Sequence, residues 1–313
     1  MDKFIEIIVP EGSFPVKEAV IALGVFDGVH PGHRQVVKTA REVAEKLGSV
    51  PGAVTFIPHP RQILGQDENF HLLLPEDERC EALLDAGAEF VGKINFSGEI
   101  ANWNAEKFLT SLRDCGLFKL TGICVGSNWR FGKNGCGNKA VLEKFCEKNN
   151  IAFVPVNEVE DDNGIISSTR LRRMVSGGEL EKYHALTGKY PLLSGTVVSG
   201  MHLAGKELAA PTANLLPRYG ILPPHGVYAG FACVDDITYP AVLNIGPAPT
   251  YNVEETRIEV HLLDFNGNLY DRDISVFLMK KLRDIRKFSS PAELKNQIIS
   301  DVTSTRAVVA AVM

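Results

Sequence analysis

Two histidines three positions apart, His30 and His33, stand in the run Gly24-Val25-Phe26-Asp27-Gly28-Val29-His30-Pro31-Gly32-His33. The apolar stretch Ala19–Leu23 before it suits a buried strand. After it, Val36, Val37, Ala40, Val43, Ala44 and Leu47 recur at helical spacing, with Pro31 suited to a first helical position. Both imidazoles are therefore expected at a helix start, where free N–H groups and the helix dipole attract phosphate oxygens. Glycines at 24, 28 and 32 leave the backbone open to a ligand. The run predicts a site for a nucleoside triphosphate. No Cys, Asp or Glu follows at a ligand-like spacing, which argues against a permanent metal here.

Glu259 is the second chemical candidate. In Arg257-Ile258-Glu259-Val260-His261 it shares one face of a strand with Arg257 and His261, opposite Ile258 and Val260, and in a pocket it can act as a base. Four other segments offer ligand groups. Residues 54 to 61, VTFIPHPR, place His59 in a rigid Pro-flanked loop, for which a structural turn is the simpler reading. Residues 125 to 132, VGSNWRFG, set Asn128 and Arg130 beside Trp129 and Phe131; the aromatics suit either a flat heteroaromatic ligand or the core. Residues 166 to 173, ISSTRLRR, bring Ser168, Thr169 and Arg172 to a helix start, a clamp for pyrophosphate or simply a capped basic helix. Residues 195 to 214 carry Gly195, Gly200, Gly205 and Lys206 before Pro211-Thr212-Ala213-Asn214, where a hydroxyl and an amide can hold Mg²⁺ beside phosphates.

The elements that must position these groups change in character along the chain. Up to about residue 157, apolar runs (53–57, 90–95, 122–125, 151–156) alternate with helical ones (76–86, 104–114, 138–149), the pattern of a parallel sheet with covering helices. Ligands of such sheets sit at the carboxyl ends of the strands, where these motifs fall. After about residue 190, short apolar runs broken by Gly and Pro predict a small antiparallel barrel, and Ser290-Pro291-Ala292-Glu293 signals a terminal helix from 291. At 313 residues, two domains are expected, 1–185 and 186–313. A composition of 45% hydrophobic and 23% charged residues is that of a soluble globular protein, and a net charge of −5 gives no field for nucleic acid. No run suits a signal peptide or a membrane span, so a cytoplasmic protein with no membrane partner is expected, its six cysteines reduced.

The His30–His33 pattern resembles the HxGH motif of nucleotidyltransferases, which implies imidazoles that contact a triphosphate with no covalent intermediate. GVFDGVHPGH, TFIPHPR, NWRFG and SSTRLR together resemble the adenylyltransferase module of bacterial FAD synthetases. PTAN, GVYAG, NIGPAPT, EVHLLDF and LRDIRKF resemble the riboflavin kinase domain. In order and coverage, the chain resembles the bifunctional prokaryotic riboflavin kinase/FAD synthetase family. The resemblance implies a Rossmann-like nucleotidyltransferase domain followed by a riboflavin kinase barrel. In the first, Gly24, Phe26, Asp27, Gly28, His30, His33, Ser168, Thr169 and Arg172 would bind ATP, and His59, Asn128 and Arg130 would bind FMN. In the second, Gly200, Gly205, Lys206, Pro211, Thr212 and Asn214 would bind ATP phosphates, Thr212 and Asn214 would hold Mg²⁺, and Glu259 would deprotonate the riboflavin 5′-hydroxyl. The chain departs from that pattern at Ala209-Ala210, at Ala248, and at Asp271, where Gly is usual. The alternatives are a single-activity FMN adenylyltransferase with a flavin-binding regulatory barrel, and a flavin sensor, which would leave the histidine site unexplained.

Overall fold

The computed structural model describes residues 5–8, 17–65, 70–198, 213–235, 237–248 and 253–312. The chain divides into two compact units, Met1–Phe70 with Pro75–Ser168, and His71–Leu74 with Thr169–Met313. The first holds β1 (Ile5–Ile8), β2 (Glu18–Leu23), α1 (Pro31–Leu47), β3 (Val50–Ile57), α2 (Pro60–Leu64), α3 (Glu76–Asp85), β4 (Phe90–Asn95), α4 (Gly98–Ala101), α5 (Ala105–Arg113), β5 (Lys119–Gly126), α6 (Lys139–Lys148), β6 (Ala152–Val156), and the hairpin of β7 (Glu160–Asp161) and β8 (Gly164–Ile165). Its six-stranded sheet runs β1-β4-β3-β2-β5-β6, parallel except for β1, which lies antiparallel on β4. The chain leaves β2 toward β3 on one side and returns to β5 on the other, so the strand order reverses between β2 and β5. That reversal is where such sheets bind ligands. In β2 the residues from Ala19 to Leu23 are buried on both faces, as a central parallel strand requires.

The second unit begins with α7 (Ser168–Ser176), whose first residue still belongs to the first unit, and α8 (Leu180–Thr187). It continues with β9 (Leu192–Val198), β10 (Ala213–Tyr219), β11 (Gly226–Val234), β12 (Ile237–Ala248), β13 (Val253–Leu262), β14 (Asp273–Arg283) and α9 (Pro291–Ala310). Six strands close a barrel in the order β10-β13-β12-β11-β14-β9, all pairs antiparallel. Full closure leaves no sheet edge exposed. The α/β sheet, the antiparallel barrel and the terminal helix from 291 all match the reading of the sequence.

The packing adds what the sequence reading lacked. Leu171 and Val175 of α7 and Leu180 and Tyr183 of α8 are buried in one cluster with Leu193, Val197, Leu243 and Val276 of the barrel. Leu73, from the segment between the two halves of the first unit, joins the same cluster. The change in sequence texture near 185 marks where strands begin, whereas the division by packing falls at 168/169, because the apolar faces of α7 and α8 cover the barrel. All six cysteines are free thiols.

Candidate functional site

The loop after β2 is held by backbone that few residues accept. Phe26 has φ 55, Gly28 φ 81 and Val29 φ 35. For a β-branched residue such as Val29 a positive φ is an outlier, and backbone of this kind persists where its surroundings over-determine it. Phe26, Asp27 and Val29 are all buried. His30 is the N-cap of α1 with Pro31 at N1, no acidic residue stands in the first turn, and the His30 side chain makes no capping bond. No acidic side chain of the first turn therefore offsets the positive end of the 17-residue helix. A Cβ on Gly32 would meet the His30 ring at 3.2 Å, so glycine lets that imidazole lie across the helix start.

The two imidazoles stack with ring centroids 3.6 Å apart, and the Phe26 ring meets His33 edge-on at 5.3 Å. Among the described residues the buried Nδ1 of His33 has no hydrogen-bond partner. Burial, reinforced by the neighbouring charges of His30 and Arg79, holds the His33 pKa well below its ordinary value. The ring is therefore neutral at pH 7, and an arriving anion favours its charged form. Ser168 Oγ donates to the Asp27 carbonyl at 2.8 Å, which brings the second residue of the SSTRLR motif to this loop.

His59 and Asn128 follow strands of the same sheet, with different partners. His59, after β3, is buried and caps α2: its Nδ1 accepts from Arg61 N at 3.1 Å, and its own N–H donates to Gln62 Oε1. That geometry is the turn the sequence offered as the simpler reading. Asn128, after β5, is exposed and donates to Glu158 beyond β6. Trp129 and Phe131 stack at 4.7 Å and pack with Phe108, so these aromatics belong to the core, while Arg130 is exposed. Thr169 and Arg172 fall in the second unit, where Arg172 Nε donates to the His71 carbonyl at 3.0 Å.

In the barrel, Gly200, Gly205, Lys206, Pro211 and Thr212 lie outside the described residues; Asn214 and Glu259 lie within them. Glu259 pairs in register with Asn214 on one side and Asn244 on the other. The three form a polar row across β10, β13 and β12, on the face opposite the buried Ile258 and Val260. Asn244 Nδ2 donates to Glu259 Oε2 at 3.3 Å, an orienting contact that leaves Oε1 to accept a proton. Gly246, two residues on, has φ 136, and a Cβ there would meet Ile285 at 2.5 Å and His225 at 3.0 Å. The NIGPAPT, EVH and LRDIRKF segments therefore converge around one end of this row. Behind them, Arg283 holds the buried Asp301 of α9 through Nε at 3.1 Å and Nη2 at 2.8 Å, and Gln297 Nε2 donates to Asp301 Oδ1 at 2.8 Å.

Sequence reasoning singled out neither Asn244, which stands in a motif it quoted, nor Glu158, Asp301 and Arg79, for which no local signal existed.

Comparison with known proteins agrees with both halves. Residues 15–170 match the FAD synthetase family and residues 187–309 the riboflavin kinase family. The chain is 32% identical over 289 residues to the bifunctional riboflavin kinase/FMN adenylyltransferase of Bacillus subtilis, covering 91% of this chain and 90% of the relative. It is 31% identical over 293 residues to the protein of that name from Escherichia coli K12, covering 93% of each. A solved structure described as a macrolide-efflux protein from Streptococcus pneumoniae superposes with a TM-score of 0.80 at 29% identity, over 93% of this chain and 94% of that one. No described helix of the present chain is long and apolar enough to cross a membrane. By both domain matches and by its relatives, the chain belongs to the bifunctional riboflavin kinase/FMN adenylyltransferase family.

Proposed function

We propose that this chain makes FAD in two steps, phosphorylation of riboflavin by ATP in the barrel unit and adenylylation of FMN by a second ATP in the α/β unit. The observation that carries the second step is the loop 24–33. A strained backbone holds two stacked imidazoles at an uncapped helix start, with a buried and unpartnered nitrogen on His33. In the proposed reaction the FMN phosphate attacks the α-phosphorus of ATP, pyrophosphate leaves, and His30 and His33 stabilise the charge on the transferring group. Gly24, Phe26, Asp27, Gly28 and Ser168 shape the ATP site, Asn128 and Arg130 face the flavin, and His59 orients the loop after β3. Thr169 and Arg172 keep their ATP assignment from the SSTRLR motif alone. The matches at 15–170 and 187–309 support assigning the two activities to residues 1–185 and 186–313.

In the barrel, Glu259 takes the proton of the riboflavin 5′-hydroxyl as the hydroxyl oxygen attacks the γ-phosphorus of ATP and ADP leaves, with Asn244 orienting the carboxylate. The amide oxygen of Asn214 suits a hard divalent cation, and Mg²⁺ held by Asn214 with Thr212 would neutralise phosphate charge beside Glu259, the neighbour of Asn214 across β10 and β13. The substrates are small molecules, and a cytoplasmic location fits them.

The test is one incubation of purified protein with riboflavin, ATP and Mg²⁺, with FMN and FAD resolved by chromatography. Both products are expected. Glu259→Gln keeps the shape and removes the proton acceptor, so FMN formation should fall by about 10²- to 10⁴-fold while FAD formation from supplied FMN persists. A Gln variant that phosphorylates riboflavin at the parent rate would reduce Glu259 to a structural residue. Failure to form FAD from FMN would leave the first unit without the proposed activity.

A further inference from the structure

Arg79 of α3 is 1% exposed, although its helix opens with Glu76, Asp77 and Glu78 and reads as a solvated acidic surface. A buried guanidinium is costly unless its donors and charge are matched. Here the matching is partial. Nη1 reaches the Val25 carbonyl at 3.4 Å and Nη2 the Phe56 carbonyl at 3.5 Å, while Nε has no partner among the described residues. Both acceptors belong to the site: Val25 opens the strained loop after β2, and Phe56 stands at the end of β3. Thr55 Oγ1 donates to the same Val25 carbonyl at 2.9 Å, so two side chains fix the point from which the loop departs. Asp27 and Glu76 are the acidic groups whose fields act on Arg79, and Glu76 is already paired with Lys93 at 2.6 Å. His33 is the imidazole that feels the Arg79 charge.

We propose that Arg79 is a positioning residue for adenylyl transfer, a buried cation that holds the start of the Val25–Asp27 turn through the Val25 and Phe56 carbonyls and presents positive charge to His33. It does not touch solvent, so it acts through the loop and not by contact with substrate. Its two long carbonyl bonds and solitary Nε only partly offset the cost of burying the charge, and an apolar side chain of like volume would fill that space at less cost. A positive charge under an anion-binding turn is what the chemistry uses. The inference rests on the assignment of adenylyl transfer to the loop 24–33.

Three variants of the full chain decide it, each measured for FAD formation from FMN, for riboflavin phosphorylation in the other unit, and for the tryptophan-fluorescence unfolding transition, which reports that the α/β unit holding Arg79 is folded. Arg79→Met fills the space without charge and should lower kcat for FAD formation by about 10- to 100-fold, the scale of a lost electrostatic contact, with phosphorylation unchanged. Arg79→Lys keeps the charge and should stay within about threefold of the parent, a rescue that a purely space-filling role would not produce. His33→Ala tests the underlying assignment. If it keeps FAD formation, the site itself is misassigned. If His33→Ala abolishes FAD formation and folded Arg79→Met works at the parent rate, only the role of Arg79 is overturned. Should Arg79→Met not fold, the Lys variant decides alone: a parent-like rate supports the role of the charge, and a loss beyond tenfold in a folded Lys variant overturns it.

Discussion

Replacing Asp301 by Ala should destabilise the barrel unit and leave the α/β unit untouched. The Asp301 side chain is 6% exposed and takes Arg283 Nε at 3.1 and 3.2 Å, Arg283 Nη2 at 2.8 Å and Gln297 Nε2 at 2.8 Å. Removal of one partner of a fully buried pair costs about 3–5 kcal/mol. Arg283 keeps a fifth of its side chain in water and retains its Nη1 bond to the Asp284 carbonyl at 3.1 Å, which lowers the expected loss to about 2–4 kcal/mol. For a unit of about 150 residues this is a fall in Tm of about 4–15 °C. The two tryptophans, Trp103 and Trp129, both lie in the α/β unit, so their fluorescence follows that unit alone, while far-UV circular dichroism follows both. The dichroism transition of the barrel should move and the fluorescence transition should not. Riboflavin phosphorylation should weaken as well, because Arg283 and the Arg286–Gln297 bond at 2.9 Å tie the 284–288 segment to α9. Asp301→Leu combined with Arg283→Met should recover most of the stability. A barrel transition shifted by less than about 1 °C in Asp301→Ala would refute this account of how α9 is held.

His33→Ala should lower FAD formation from FMN by about 10²- to 10³-fold with riboflavin phosphorylation spared; equal loss of both activities in a folded variant would contradict separate sites. Because the folded pKa of His33 lies below the unfolded 6.5, the unfolded chain binds the proton first, and stability of the α/β unit should fall as pH drops below about 6.5, by up to about 1.4 kcal/mol per pH unit. Chemical denaturation read by tryptophan fluorescence measures that slope, which His33→Ala should flatten. Asp271 stands at φ 61, where Gly is at ease, so Asp271→Gly should raise the stability of the barrel unit slightly, by about 1 kcal/mol or less; a fall would show that the Asp side chain holds the turn. A fragment beginning at Thr169 should be more stable than one beginning at 187, since the latter lacks Leu171, Val175, Leu180 and Tyr183, each worth about 1.5–3 kcal/mol when buried; equal midpoints in urea would count against the packing division.

What was legible in the sequence was what is local in it. The strand, turn and helix around His30 and His33 lie within thirty residues, and each step has its own signal: an apolar run, Gly28 at φ 81, Pro31 at N1 and helical periodicity. The strand β10 has little signal of its own in the sequence. Leu216 is 59% exposed beside the buried Leu215, and Pro217 interrupts the run, so closure of the barrel depends on pairing with β9 and β13 and not on alternation. The helices α7 and α8 were recognisable as helices, but an amphipathic face does not say which sheet it covers. Arg79 is the clearest limit. Its acceptors Val25 and Phe56 lie 54 and 23 positions away, and the acidic residues around it point to solvent. Only the assembled sheet, with the ends of β2 and β3 side by side, turns that surface-like helix residue into a buried cation at the start of the loop 24–33.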